Sequence, residues 1–322
     1  MRTRTPLVIT LLLVGLAAAA MLRLLVGGER FGFASDAAIA ELRWLRVVLG
    51  VGVGAGLAQA GVMLQALLRN PLASPDLLGL SAGAGLAVML TAYIGYIATG
   101  AIAPIAVNPL PAVAGSCGAL AIVYAFSQRR GFLDPLTLIL VGVIVGILLG
   151  SASSVVRQLL PDGGFQASRL VLGRLSDDTP WWLAWLGIAC ATAGTAVGVR
   201  LGPAMDAASM SDDEAASVGV RVRPLRIWLF TTAGTLTAVT VVIAGPIGFV
   251  GLVVPHAARM LLGPAHRPLS VAAPILGAAV VVAGDALVRT VELPSGRLPL
   301  GVVTSLVGGP IFLLMLRSML RR

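Results

Sequence analysis

The sequence predicts an all-α membrane protein: ten transmembrane helices with an inverted internal repeat. Three observations predict it. The chain is 57% hydrophobic and only 11% charged, with a mean hydropathy of +0.96, whereas a soluble domain carries roughly 25% charged residues. Ten apolar stretches come close to the ~20 residues a helix needs to cross hydrocarbon. Finally, Ala60–Gly79 has an echo at Ala244–Gly263, in which Gly61/Gly245, Pro71/Pro255 and Gly79/Gly263 coincide without a gap.

The first span is 6–26. Arg2, Arg4 and the run Ala17–Ala20 look like a leader peptide, but the length of the stretch and the apolar sequence beyond it favour an uncleaved first helix. After a polar segment, spans follow at 45–68, 77–97, 109–127, 135–157, 180–200, 226–247, 249–262, 270–290 and 299–316. Only Gly245-Pro246 divides the pair within 226–262. The segment 158–179, with Pro161, Gly163, Gly164 and several charges, is too polar to span and reads as a loop with a short surface helix. No stretch is polar and long enough for a soluble domain. Residues 1–322 therefore read as one integral membrane domain, with pseudo-repeat halves at 42–160 and 225–316. With the N-terminus inside, the inner loops hold the larger share of arginines and the outer loops most of the acids, which places both termini in the cytoplasm. Five spans separate the starts of the echoing units, an odd number, so the units face opposite ways. Inverted repeats of this kind belong to transport folds rather than enzymes.

The net charge of +9 is carried by arginine alone; there is no lysine. The chain therefore holds no P-loop, whose lysine contacts nucleotide phosphates. In a soluble protein such a basic balance points to nucleic acid. Here the arginines are scattered between spans, so topology explains them and no nucleic-acid partner is expected. Cys117 and Cys190 lie far apart in apolar runs, and His256 and His266 sit at opposite ends of a short helix. Neither pair has metal-site spacing, and no cofactor or metal is expected.

Gly142, Gly146 and Gly150 share one helix face, which suits close helix packing or, alternatively, the wall of a path or a dimer contact. Asp134 and Asp285 fall at span ends, and Arg259 is the one charge well inside a span. Ion-coupled carriers usually keep an ionisable group near the midplane. Its absence argues against ion coupling and for a borrowed nucleotide-binding partner. The segment that would meet that partner is Ala207–Arg226. In it Ser211, Asp212, Asp213 and Glu214 start a helix, Ala215 begins a run of small residues, and Gly219 stops the helix. The other reading of this segment is an inert solvated loop.

LLRNPLASPDLLGLSAGA at 67–84, SDDEAASVGV at 211–220, GPIGFVGLVVPHAAR at 245–259 and ELPSGRLPLGVVTSLVGGPIF at 292–312 resemble the signatures of the FecCD family, permease subunits of ABC importers for iron-siderophores, haem and vitamin B12. Asn70, Pro71, Gly245, Pro246, Pro255 and His256 belong to these motifs. The resemblance implies the type II ABC importer permease fold and a homo- or heterodimer with the path between subunits. It implies two cytoplasmic ATPase subunits docked on about Ala207–Arg223, so that Asp212, Asp213, Glu214, Ala215 and Gly219 couple hydrolysis to transport. It also implies a periplasmic or lipid-anchored binding protein whose glutamates meet Arg43, Arg46 and Arg289, and a place in the bacterial inner membrane. Snorkelling into lipid headgroups is the other reading of those arginines. Two features depart from the family pattern: Met210-Ser211 replaces Leu-Gly, and Ser295-Gly296-Arg297 lengthens the last outer loop. The wording ASPDLLG resembles iron-chelate members more than cobalamin members, so the expected cargo is a ferric siderophore or haem. Vitamin B12 import is the alternative, and an ion-coupled secondary carrier a more distant one.

Overall fold

The computed structural model describes residues 4–27, 30–100, 108–129, 132–161, 173–290, 292–293 and 296–320. The helices are α1 (Arg4–Leu25), α2 (Ala37–Leu67), α3 (Leu80–Thr99), α4 (Leu110–Phe126), α5 (Pro135–Leu159), α6 (Trp181–Ala208), α7 (Asp212–Ser217), α8 (Val222–Ala244), α9 (Val250–Leu262), α10 (His266–Thr290) and α11 (Leu300–Leu320), and a 3-10 turn, Pro75–Leu78, precedes α3. Setting aside α7, which has six residues, the apolar helices correspond one to one with the ten expected spans. Seven are long and apolar enough to cross a membrane; the apolar parts of α4, α9 and α11 are shorter. Two-residue antiparallel hairpins close three of the loops. Of the surface helix expected within 158–179, residues 162–172 lie outside the described residues, and 173–176 form irregular backbone.

The bundle is organised around α2. Its 31 residues make a rod of ~46 Å, mostly buried against α6, α8, α9 and α10. It begins at Ala37, eight residues before the expected span. Asp36 caps it, accepting from the Ala38 N–H at 2.8 Å, and the charges in its first turns find partners within the chain. Contact is at backbone distance where glycines meet. A methyl group on Gly54 would lie 2.2 Å from the Gly277 carbonyl oxygen of α10, and one on Gly61 would lie 1.9 Å from that of Gly251 in α9. In a membrane, where no hydrophobic effect drives helices together, such small-residue contact supplies the packing.

Two apolar cores flank these contacts. One, at the α7 end, includes Met63, Leu138, Met205, Leu225 and Phe230. The other, at the opposite end, includes Leu49, Val53, Leu175, Leu183 and Val281. The outer faces of α1, α5 and α11 expose large apolar side chains such as Leu11, Leu140, Ile147 and Leu306, as lipid-facing or partner-facing helices do. Trp44, Trp182 and Trp185 are exposed at the end away from α7 and Trp228 near it, the placement of interfacial aromatic belts.

The halves correspond in order, α2 to α5 with α8 to α11. Both α3 and α9 start from a left-handed residue, Gly79 at φ 69 and Phe249 at φ 67. Each of these residues packs on glycines of the last helix in its half: Gly142 and Gly146 of α5, Gly308 and Gly309 of α11. The gap-free register of the echo does not hold, however. Gly61 lies inside α2 whereas Gly245 ends α8, and Pro71 lies in a break whereas Pro255 is inside α9. The break after α2, Leu68–Gly79, is longer than the break after α8, Gly245–Phe249. No single shift can therefore align helix ends and helix starts together.

Candidate functional site

At one end of the bundle the chain builds a short, doubly capped helix. Ser211, in extended conformation, accepts from the Glu214 N–H at 3.1 Å, and its hydroxyl donates to Glu214 Oε2 at 2.7 Å. This is the Ser-x-x-Glu pairing that starts helices. At the other end Gly219 adopts φ +85. The Gly219 N–H donates to the Ala216 carbonyl at 3.0 Å, and the Val220 N–H reaches back to Ala215 at 2.9 Å. These are the two bonds of a Schellman motif, with glycine at its left-handed position as the sequence suggested. Ala215 is fully buried in the adjoining core. Asp213 and Glu214 face outward, and so do Met210 and Val218, which are 70% and 68% exposed.

Asp212 ties α7 to the bundle. Its carboxylate pairs with Arg69, just beyond α2, and accepts two 3.0 Å bonds from Arg226 Nη2 in α8. Arg69 also donates to the Ala208 carbonyl at 2.6 Å, and Arg226 to that of Leu133 at 3.2 Å. One acid thus joins the ends of α2 and α6, the start of α8 and the loop before α5. Arg69 sits at φ 47, an uncommon conformation for a residue with a side chain. Beside it, Asn70 Oδ1 accepts from the Leu72 N–H at 2.9 Å and holds the turn around Pro71. Neither arginine was among the residues singled out in the sequence. For Arg226 a signal was present, a cation closing the acid-started loop; for Arg69, 143 positions from Asp212, there was none.

At the opposite end the arginines expected to be an outer rim are engaged within the chain. Arg46 bridges Asp177 and Asp285, with Nη1 2.7 Å from Asp285 Oδ1. Arg23 approaches the other oxygen of Asp285 at 2.6 Å. Arg289 Nη2 contacts Asp177 at 2.8 and 3.1 Å. Arg43 donates to the carbonyls of Leu24 and Gly32, occupying space that only the missing side chain of Gly27 leaves open. Arg23 and Asp285 are both 3% exposed. Burial alone would raise the Asp177 carboxyl, but the hydrogen bonds and charges of Arg46 and Arg289 outweigh it and hold the group at about 2. The cluster borders a pocket of about 140 Å³ lined by Arg23, Gly27, Arg43, Asp177 and Arg289.

The glycine stripe divides. Gly142 receives the backbone of the 3-10 turn, where a methyl group would meet the Leu77 carbonyl oxygen at 2.0 Å. Gly146 lies against Gly79, and Gly150 faces open space. Gly245 ends α8 at φ 67. The Pro246 carbonyl packs where side chains on Gly173 and Gly301 would stand. Pro255 is buried in α9 and His256 partly exposed. His266 Nδ1 lies 2.7 Å from Asp206, and among the described residues no group of three or more potential metal ligands occurs.

The expectation that no acid sits near the middle of the membrane is not met. Asp76 belongs to the 3-10 turn that rests on Gly142 and Gly146. These glycines lie eight and twelve residues along α5 from its cap Asp134, so the turn is ~12–18 Å in along that helix, against a hydrocarbon thickness of ~30 Å. In sequence Asp76 reads as part of a polar break. In the fold that break re-enters among the helices, so the argument from a missing acid no longer separates ion-coupled from ATP-driven transport.

Comparison with known proteins identifies the family. The model of the FecCD transport family matches residues 5–318. The cobalamin import system permease protein BtuC of Halobacterium salinarum is 34% identical over 285 residues, 87% of this chain and 73% of that protein. The hemin transport system permease protein HmuU of Yersinia pestis is 34% identical, covering 85% of this chain and 81% of that one. For the Fe(3+) dicitrate transport system permease protein FecD of Escherichia coli the identity is 32%, with 87% and 85% covered. A solved inward-facing structure, described as a metal-chelate type ABC transporter, superposes with a TM-score of 0.83 at 26% identity, covering 97% of this chain and 99% of its own. With its helix order, its breaks and its capped loop accounted for, the chain belongs to the FecCD transport family of ABC importer permeases.

Proposed function

We propose that this chain is the membrane-spanning subunit of an ATP-driven importer that carries an iron chelate, a ferric siderophore or haem, into the cytoplasm, with both termini on the cytoplasmic side. The observation that carries the reading is α7. It is capped at both ends, turns Asp213 and Glu214 outward, and is flanked by exposed Met210 and Val218. Asp212 ties it to Arg69 and Arg226, so a push on α7 by a docked ATPase subunit is passed to α2 and α8. The permease works as a dimer, with two ATPase subunits beneath it and a binding protein above. For the binding protein, the docking rim is the mouth of the pocket where Arg289 and Asp177 remain partly exposed; Arg43 and Arg46 support that rim from within. Vitamin B12 is the second reading of the cargo, favoured by the 34% identity with a cobalamin permease.

The test is uptake into proteoliposomes holding the permease, its cognate ATPase subunits and its binding protein loaded with ⁵⁵Fe-chelate or cobalamin. Uptake should require ATP on the ATPase side and persist when ion gradients are collapsed. Uptake driven by an ion gradient without any ATPase subunit overturns the reading.

A further inference from the structure

Asp76 is a carboxylate without a partner at a depth where a partner is expected. No ion pair or hydrogen bond engages its side chain among the described residues. Three elements fix its depth. The 3-10 turn rests on Gly142 and Gly146 of α5. A methyl group on Gly248, just ahead of α9, would lie 3.9 Å from Asp76 Oδ2 and 3.2 Å from Ser305 Oγ of α11. Gly248 is fourteen residues before the end of α9 at Leu262, ~21 Å along it, and Ser305 is fifteen before the end of α11 at Leu320, ~23 Å along it. Together they place Asp76 ~12–23 Å into a ~30 Å hydrocarbon layer, well away from either face.

In a single chain Asp76 is exposed. An acid cannot be left facing lipid at that depth; such residues face a bundle interior, a water-filled cavity or one another. Irregular backbone at membrane depth obeys the same rule, being tolerated where it lines a cavity or is covered by protein. Here the irregular segments of both halves converge: the 3-10 turn of the first and the Gly245–Phe249 break of the second, with Gly251 packed against the Pro75 ring. From the unpaired carboxylate and this convergence we infer that Asp76 lines the aqueous path near the midplane and gives it a negative potential there. On the importer reading above, a chelate of positive or zero net charge passes this point more readily than an anionic one.

The test uses the full-length permease in proteoliposomes, with Cys117 and Cys190 replaced by alanine and Ser305→Cys as the reporter thiol. The probes are two methanethiosulfonates of similar size, one ending in trimethylammonium and one in sulfonate. With Asp76 present, the ratio of cationic to anionic modification rates should exceed that of the same protein carrying Asp76→Asn by roughly tenfold, the scale expected for one charge within several ångströms. Asp76→Asn is close to isosteric, and elution as the same oligomer checks its fold. A ratio that Asp76→Asn leaves unchanged overturns the inference, as does a Ser305→Cys thiol that neither reagent reaches. The assay needs no ATPase subunit, binding protein or cargo, so its failure is distinct from failure of ATP-driven uptake.

Discussion

Replacing Asp285 by asparagine should be among the more damaging single polar changes in this protein. The carboxylate accepts from Arg23 at 2.6 Å and from Arg46 at 2.7 Å, in a setting where both it and Arg23 are almost wholly buried. Arg46 retains Asp177 in the variant. Arg23 keeps only the Val26 carbonyl at 3.1 Å, which leaves an uncompensated buried charge. Removing one partner of a buried pair costs about 3–5 kcal/mol. At about 2–4 °C per kcal/mol, the scale for domains of 150–250 residues, the melting temperature should fall by roughly 6–20 °C. The assay is thermal inactivation of the detergent-purified permease, read as the fraction still eluting as its native oligomer after heating; because unfolding of such proteins is commonly irreversible, half-lives at one temperature should be compared as well. Asp177→Asn is the internal control. That carboxylate is 39% exposed, so solvent screening reduces its contribution to ~1 kcal/mol or less. If Asp285→Asn costs no more than Asp177→Asn, the buried network does not hold α1, α2 and α10 together as described.

Three further outcomes are expected. Gly219→Val forces a β-branched residue into φ +85, with no side chain close enough to clash. The cost is therefore local, ~1–2 kcal/mol, and the permease should fold while substrate-stimulated ATP hydrolysis in the assembled complex collapses; wild-type stimulation would remove α7 as the coupling element. Gly142→Leu must displace the Leu77 carbonyl, which a bare methyl would already meet at 2.0 Å; uptake should be lost, whereas Gly150→Leu, with open space around it, should retain it. The Asp177 carboxyl is lowered in the folded protein to about 2 from 3.8. A lowered value means its stabilisation is present above pH ~4 and is lost as the pH falls from there toward 2. The stability gap between wild type and Asp177→Asn should therefore narrow over that interval, and a gap independent of pH contradicts the pairing.

The spans were legible because hydropathy is a local property, and their ends moved only where capping or charge pairing overrode it. The start of α2 illustrates this. Arg43 and Arg46 read as charges ahead of an apolar run, yet the carbonyls of Leu24 and Gly32 satisfy Arg43, and Asp177 and Asp285, 131 and 239 positions away, satisfy Arg46, so the helix includes both. α7 was legible to the residue because Ser211, Glu214 and Gly219 are local signals. The pairing of Asp212 with Arg69, 143 positions away, is tertiary and left no trace in the spacing. The same holds for Asp76, whose depth is set by glycines on α5 and not by its own neighbours. The repeat was visible as a pair of Gly- and Pro-marked breaks. Its register was not, because breaks of unequal length defeat a fixed shift.

The glycine contacts of α2 have a mechanical consequence. At Gly54 it touches the backbone of Gly277, and at Gly61, about two turns on, the backbone of Gly251. Side chains between helices act as compliant spacers that let one element slide or roll past another; backbone on backbone has no such slack. A rod pinned at two points along its length can neither rotate about its axis nor slip along it relative to its neighbours. α2, α9 and α10 should then travel as one block during the transport cycle. Alternating access would have to come from hinging of that block against the less enclosed helices, α5 and α11, or against a second subunit, and not from shear inside it.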